Sequence, residues 1–572
     1  MSWKDNYQVW ANYSELEPNL KKQLNDIKND PDKLEEAFYA PMEFGTAGMR
    51  GVLGPGIHCM NIYTVRQAAE GLARFMDTLE DSEKQRGVAI SFDSRYNSQL
   101  FATESARVLG DHDIPTYVFD SLRPTPELSF TVRYLHTYAG IMITASHNPA
   151  KYNGFKIYGP DGGQMPPKES DMITDYVRKA SDLFAIKVAD VHELRAQKVM
   201  NLISEDVDQA YLKGIKSVSI DKELLKKYSD MSFIYTPLHG TGKMLASRVY
   251  HQAGFDNMHI VKEQAILDPE FSTVDFPNPE FPETFNLAIR DGKKINADVL
   301  IATDPDADRL GAAVRQPDGE YKLMTGNQIA SVLLEYILSA KKRTGTLPKN
   351  GAVVKSIVST ELATKIAKNY GVDMINVLTG FKFIAEKIQE FQDTKSHEFL
   401  FGFEESYGYL IQPFVRDKDA MQASLLLAEV AAYYKSKGKT LYDGIEDLYA
   451  KYGYYKEKTI SKEFDGVDGS TKMANLMTKF RKNEPKEING EKVVSIQDFQ
   501  SSVQTNADGS KSKIEIPKAN VLKFILADET WIAVRPSGTE PKIKNYVGVN
   551  DKTEAQADAK IAAYTKIINS WY

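Results

Sequence analysis

Short apolar runs bounded by Gly, Pro and Asp alternate along the chain with longer stretches of helical period, such as Val65 to Leu79, Gly326 to Leu338 and Leu425 to Tyr434. That alternation predicts an α/β fold. At four places an apolar, strand-like run ends in a polar loop rich in Gly or Pro: Ile141 to Thr144, Val299 to Ala302, Phe399 to Phe401 and Trp531 to Val534. Ligand sites of open α/β sheets gather at the carboxyl ends of strands, so these loops are where chemistry is expected. They are spread over the whole length, which points to one site built from several domains. Charged, patternless stretches near Glu205, Gln316 to Lys322 and Lys451 to Lys458 suggest divisions into 1–205, 206–318, 319–452 and 453–572. No fixed-period repeat is visible, although the first three segments could be diverged copies of one α/β design. Glu484 to Lys513 carries few apolar anchors and reads as a solvated excursion of the last domain.

Composition narrows the class. The 572 residues suffice for about four domains of ordinary size. With 42% apolar and 26% charged residues, neither a disordered tail nor a fibre fits. A net charge of −7 without a basic stripe argues against nucleic acid. Cys59 is the single cysteine, so no internal disulfide or cysteine metal cluster forms, which suits a reducing, cytoplasmic setting. Met1 to Tyr13 lacks the apolar core of a secretory signal, and no apolar run is long enough to span a membrane.

Four motifs carry the chemistry. Thr144-Ala145-Ser146-His147-Asn148-Pro149, with Asn153-Gly154-Phe155-Lys156 close behind, places a hydroxyl beside an imidazole and an ammonium. A serine needs such help to act as a nucleophile, so Ser146 is a candidate covalent centre, the alternative being a polar turn that only satisfies the backbone. In Asp304-Pro305-Asp306-Ala307-Asp308-Arg309, three carboxylates at alternate positions would repel one another without a cation. Oxygen-only ligands suit Mg²⁺ or Ca²⁺, and Arg309 and Arg315 where an EF-hand needs Gly and Glu exclude that loop. Gly402-Phe403-Glu404-Glu405-Ser406-Tyr407-Gly408 offers carboxylate and hydroxyl groups to vicinal sugar hydroxyls. Arg535-Pro536-Ser537-Gly538-Thr539-Glu540-Pro541-Lys542 concentrates a guanidinium, hydroxyls and an ammonium as a phosphate cradle. Gly240-Thr241-Gly242-Lys243 resembles a nucleotide loop but has Pro237 and Met244 where that loop needs Gly and Ser or Thr.

In this order the motifs point to phosphoryl transfer on a polyhydroxylated phosphate ester. Together they resemble the α-D-phosphohexomutases, in particular the bacterial α-phosphoglucomutases, and Phe44 to Gly51, Phe92-Asp93-Ser94-Arg95, Thr379-Gly380-Phe381-Lys382 and Asp417-Lys418-Asp419 extend the match over nearly the whole chain. The resemblance implies three related α/β domains and a smaller C-terminal α+β domain around a central cleft. It implies a phosphoserine at Ser146 whose phosphate, with Asp304, Asp306 and Asp308, holds one Mg²⁺. Arg50 would neutralise the moving phosphoryl group, and Lys156 or His147 would handle the hydroxyl proton. Glu404 and Ser406 would meet the sugar hydroxyls with Thr379, Gly380 and Lys382 nearby, Arg309 and Lys418 would also bind substrate, and Arg535, Ser537, Gly538 and Thr539 would hold its other phosphate. The implied reaction interconverts glucose 1-phosphate and glucose 6-phosphate through glucose 1,6-bisphosphate, with a phosphopentomutase or phosphomannomutase as the alternative within the family. Partners are then small hexose phosphates rather than nucleic acid or membrane, for a monomer or weak homodimer. Two departures matter: His58-Cys59 stands where the family often shows Asn-Arg, and Tyr407-Gly408 follows Ser406 where the phosphomannomutase-like branch has Gly-His. The rivals are a haloacid-dehalogenase-type phosphatase with Asp304 as nucleophile and a catalytically silent sugar-phosphate sensor.

Overall fold

The computed structural model describes residues 2–44, 48–464, 469–537 and 542–572. The chain divides into two compact units. One comprises Met1–Thr325, Ala385–Lys395 and Ser406–Thr440, and the other Gly326–Ile384, Ser396–Glu405 and Leu441–Tyr572.

The first unit holds two sheets. Strands β1 (Met49–Val52), β2 (Val88–Phe92), β3 (Thr116–Phe119), β4 (Ala139–Ile143), β5 (Tyr152–Tyr158) and β6 (Met200–Ile203) form a sheet of order β1-β5-β4-β2-β3-β6. β4, β2, β3 and β6 run parallel, whereas β5 returns antiparallel to β4 and β1 pairs antiparallel with β5 on that edge. Every residue of β2 and β4 is buried, as expected of parallel strands covered on both faces, which is why they read as unbroken apolar runs. The helix Ile62–Met76, which contributes Val65, Ala68, Leu72 and Phe75 to this core, starts at Asn61, whose side-chain oxygen accepts from the backbone N–H of Tyr63 and Thr64. The second sheet comprises β7 (Phe233–Thr236), β8 (Met258–Ile260), β9 (Val299–Thr303), β10 (Leu310–Arg315) and β11 (Tyr321–Met324) in the order β11-β10-β9-β7-β8. Again three strands are parallel and the two that follow the polar loop return antiparallel.

The second unit holds β12 (Gly351–Ser356), β13 (Asp373–Val377) and β14 (Glu398–Glu404), parallel and ordered β13-β12-β14. This is the order of β3-β2-β4 and β8-β7-β9. The diverged copies that the chain hints at are thus visible as one strand order used three times, with the polar loop following the equivalent strand each time: β4, β9, β14. Each loop also holds one non-glycine residue in the left-handed region, Ser146 (φ 51°), Ala307 (φ 49°) and Tyr407 (φ 64°). Such residues cost on the order of 1 kcal/mol or more and persist where their surroundings dictate them.

The C-terminal part of the second unit is a largely antiparallel sheet backed by the helix Glu554–Asn569, with Ile532, Val534, Ile543, Val547, Tyr564 and Ile568 in its core. Here the expectation of a solvated excursion is corrected. Glu491–Asp498 is an inner strand paired with Leu522–Leu526, and Ile488, Val493 and Ile496 are buried in that core. The strand carries its charges at its two ends, Glu491, Lys492 and Asp498, while Val493, Ser495 and Ile496 between them are buried. Among the described residues no helix is long and apolar enough to cross a membrane.

Candidate active site

The loop after β4 carries Ser146, buried and left-handed. Its Oγ donates to Asp304 Oδ2 at 2.7 Å and lies 3.2 Å from His147 Nδ1. The nucleophile candidate and the acidic loop, 158 residues apart in sequence, are therefore in contact. Arg50, on β1 and exposed, donates to Asn148 Oδ1 at 3.0 Å, which brings it to the same loop. Burial, reinforced by the cations Arg309 and Arg50, pushes the His147 imidazole well below its ordinary pKa, which favours its neutral form.

Asp304, Asp306 and Asp308 are all buried, and one oxygen from each lies within 4.8 Å of the others. Asp304 Oδ1 accepts the N–H groups of Asp308 (3.2 Å) and Arg309 (3.0 Å), which curls the loop on itself. Asp306 Oδ2 accepts from Thr125 Oγ1 at 2.9 Å and from Lys156 Nζ at 3.1 Å. Asp308 Oδ2 faces Lys418 Nζ at 2.9 Å, and Lys418 also contacts Asp417 Oδ1 at 3.0 Å. Burial and then the two neighbouring carboxylates hold Asp304 well above the ordinary carboxyl range. At Asp306 burial acts the same way but is outweighed, chiefly by Lys156, so its pKa falls below that range. Asp306 Oδ1 and Asp308 Oδ1 are buried and make no hydrogen bond within the described residues. Unsatisfied carboxylate oxygens converging in a buried loop are what a hard divalent cation requires, so these residues fit one.

The remaining predicted residues fall into two groups. In the first unit, Arg309 donates to Glu280 Oε1 at 2.9 Å, and Ser406 is half-buried. Lys418, expected to bind substrate, contacts Asp308 of the acidic loop. In the second unit, Glu404 Oε1 accepts the N–H of Gly380 at 2.7 Å, joining the two expected sugar loops, and Thr379 is half-buried beside Gly380. Lys382, in the first turn of the helix Phe381–Thr394, lies 4.9 Å from the ring centroid of Phe383. Glu405 Oε2 accepts from Ser356 Oγ (2.8 Å) and Ser359 Oγ (3.2 Å), which anchors this loop to the end of β12. Arg535 ends the strand Trp531–Pro536, and the Ser537 N–H donates to the Lys542 carbonyl at 2.7 Å. Tyr546 gathers the two regions: its pKa is pushed up to about 12 by burial and by Glu405, with Arg535 and Glu404 also acting on it. Gly538 and Thr539 lie outside the described residues.

Four family signatures match the chain in order. They are phosphoglucomutase/phosphomannomutase alpha/beta/alpha domain I over residues 41–183, domain II over 209–319, domain III over 325–452 and the C-terminal domain over 477–563. The chain belongs to the phosphoglucomutase/phosphomannomutase family. Phosphoglucomutase of Staphylococcus haemolyticus is 39% identical over 531 residues, covering 93% of this chain and 94% of its own. That of Staphylococcus epidermidis is 40% identical over 536 residues, covering 94% and 95%. Among solved structures, the phosphoglucomutase parafusin of Paramecium in its open form superposes with a TM-score of 0.68 at 20% identity, covering 92% of this chain and 94% of its own. A phosphoglucomutase/phosphomannomutase family protein of Burkholderia thailandensis gives 0.63 at 15%, covering 92% and 97%.

Within this family member, residues that the sequence reading left without a role prove to build the site. Thr125 starts the helix Thr125–Tyr134 and, besides its side-chain bond, donates its N–H to the Asp306 carbonyl at 3.0 Å. Thr241, from the loop that mimics a nucleotide site, donates both N–H (2.8 Å) and Oγ1 (3.0 Å) to the Pro305 carbonyl. Gly240 has to be glycine, because a Cβ there would lie 2.3 Å from Pro305 Cα and O. The apparent phosphate loop is thus a seat for the acidic loop. The one available signal was its place after β7, at the same sheet end as the loop after β9.

Proposed function

We propose that this mutase, an intramolecular phosphotransferase, interconverts glucose 1-phosphate and glucose 6-phosphate through a phosphoserine at Ser146 and bound glucose 1,6-bisphosphate. The observation that carries the reading is the 2.7 Å contact of Ser146 Oγ with Asp304 inside a buried carboxylate triad. Asp304, Asp306 and Asp308, with the phosphate on Ser146, would hold one Mg²⁺, which when bound spreads the charge of a metaphosphate-like transition state. Arg50 meets the same developing charge from β1. In the first half-reaction the P–O bond to Ser146 breaks and a P–O bond to the sugar hydroxyl forms; the hydroxyl proton passes to His147 or Lys156, and the departing Ser146 oxygen takes up a proton in its place to become the hydroxyl again. The second half-reaction returns the other phosphoryl group to Ser146. Glu404 and Ser406, with Thr379, Gly380 and Lys382, are assigned to the sugar, and Arg309 and Lys418 to substrate binding. Arg535, Ser537, Gly538 and Thr539 are assigned to the phosphate that does not react. The divisions 1–205, 206–318, 319–452 and 453–572 and a cytoplasmic setting belong to the same proposal.

The relatives at 39% and 40% identity are phosphoglucomutases, which supports glucose as the sugar. Intact mass and phosphopeptide mapping after incubation with glucose 1,6-bisphosphate should place one phosphate on Ser146. Coupled assays with glucose 1-phosphate, mannose 1-phosphate and ribose 1-phosphate should rank glucose first. Full activity in Ser146→Ala, with phosphate on Asp304, would overturn the phosphoserine in favour of a phosphatase-like mechanism, and a preference for ribose or mannose would overturn the sugar.

A further inference from the structure

Behind Ser146 lies a buried ion pair that no step above uses. Asp93 and Arg95, at the end of β2, face each other with Arg95 Nε 3.2 Å from Asp93 Oδ2, both side chains fully shielded from solvent. Asp93 Oδ2 also accepts the hydroxyl proton of Thr144 at 2.7 Å, and Oδ1 accepts from Ser98 Oγ at 2.7 Å and the Arg95 N–H at 3.0 Å. With its only proton committed to Asp93, Thr144 Oγ1 is left as an acceptor, and it takes the N–H of Ser146 at 2.8 Å. On the other side of the same residue, Arg95 Nη2 donates to the Ser146 carbonyl at 2.6 Å and to that of Asn148. Its Nη1 holds the carbonyls of Pro149 (2.9 Å) and Tyr152 (3.1 Å). One guanidinium thus gathers four carbonyls of one loop, and the buried Phe271 ring closes over it 4.9 Å away.

We propose that Asp93, Arg95 and Thr144 are positioning residues for phosphoryl transfer at Ser146, gripping its N–H and C=O so that its left-handed backbone aims Oγ at the acidic loop. The proposal rests on the phosphoserine reading. Three features favour a positioning role. The pair is internally neutral, so it adds no net charge where a phosphoryl dianion arrives and leaves. It touches the nucleophile's backbone rather than its hydroxyl. A planar fork can hold several carbonyls at fixed angles, which a lysine cannot. Misplacing a reacting atom by about 1 Å costs on the order of 100-fold in rate, so loss of the grip should appear in kcat and leave KM alone.

Thr144→Val removes the hydroxyl at similar volume, and Thr144→Ser restores it. Each variant is charged with glucose 1,6-bisphosphate, the phosphate on Ser146 is counted by intact mass, and its transfer to glucose 1-phosphate is followed in a single turnover. We expect transfer in Thr144→Val to slow by about 10- to 100-fold with KM within about twofold of wild type, and Thr144→Ser to recover most of the rate. Wild-type transfer in a folded Thr144→Val would overturn the proposal, as would a KM rise that accounts for the whole loss. If Thr144→Val melts below the assay temperature, Arg95→Lys, which keeps a cation beside Asp93 but loses the fork, decides by the same transfer rate. Absence of phosphate from wild-type Ser146 would instead sink the phosphoserine reading, a separate result.

Discussion

Replacing Thr125 by valine deletes one hydroxyl and leaves the start of its helix otherwise intact. Thr125 is buried; its Oγ1 donates to Asp306 Oδ2 at 2.9 Å and its N–H to the Asp306 carbonyl at 3.0 Å. Valine keeps the second bond and loses the first, with little change of volume. A hydrogen bond to a charged acceptor is worth about 1.5–3 kcal/mol, whereas loss of an outer-shell partner costs about 10- to 100-fold in metal affinity, or about 1.4–2.7 kcal/mol. The lower end should apply, because Asp306 Oδ2 keeps Lys156 at 3.1 Å and is not stripped of donors. Binding of Mn²⁺, followed by electron paramagnetic resonance, and of Mg²⁺, by calorimetry, should therefore weaken about tenfold in Thr125→Val and recover in Thr125→Ser. Equal affinity in wild type and a correctly folded Thr125→Val would refute both the role of Thr125 and the place of Asp306 among the ligands.

Two further outcomes follow from contacts described above or nearby. In Gly240→Ala the new methyl meets Pro305 backbone atoms at 2.3 Å, so the seat of the acidic loop must shift. We expect about 1–3 kcal/mol of destabilisation by chemical denaturation together with weaker Mn²⁺ binding, and unchanged values in both would show that the seat is slack. His112 sits 3.1 Å from Glu70 and 2.7 Å from Asp77, and Glu70 above all raises its pKa from 6.5, while His112 lowers that of Glu70 from 4.5. The histidine's share of stability is full below pH 6.5 and fades as pH rises through its raised value; the glutamate's is full above pH 4.5 and fades as pH falls through its lowered one. The melting-temperature gap between wild type and His112→Gln should therefore peak between those limits, and a gap independent of pH would exclude the ion pair.

The strands before Ser146 and Asp304 were legible to within two residues because a parallel strand buried on both faces is an unbroken apolar run: Ile141 to Thr144 was expected and Ala139–Ile143 is found, Val299 to Ala302 was expected and Val299–Thr303 is found. Glu491–Asp498 was missed because it has no clean period of two: Ser495 and Ile496, adjacent in sequence, are both buried where the pairing with Leu522–Leu526 shifts register. The carboxylate triad was legible from spacing alone. Its supports were not, since Thr125 reaches Asp306 across 181 residues and Thr241 reaches Pro305 across 64, distances over which sequence pattern carries no contact information. The resemblance implies that Lys418 binds substrate, and its contact with Asp308 is visible only in the folded chain.

The strand order shared by β2–β4, β7–β9 and β12–β14 means that Ser146, the Asp304 triad and the Glu404 loop occupy the same backbone address in three successive units. Labour is divided among the addresses, one holding the hydroxyl, one the carboxylate cluster and one the Glu404 loop. None duplicates another, so damage at one address has no understudy. The Ser146 and Asp304 addresses touch and must be kept together, whereas the Glu404 loop can be exchanged while the strand that presents it stays fixed. On the proposed assignment of the Glu404 loop to the sugar, such a scaffold changes its sugar by editing that one address and keeps its phosphoryl chemistry by leaving the other two untouched.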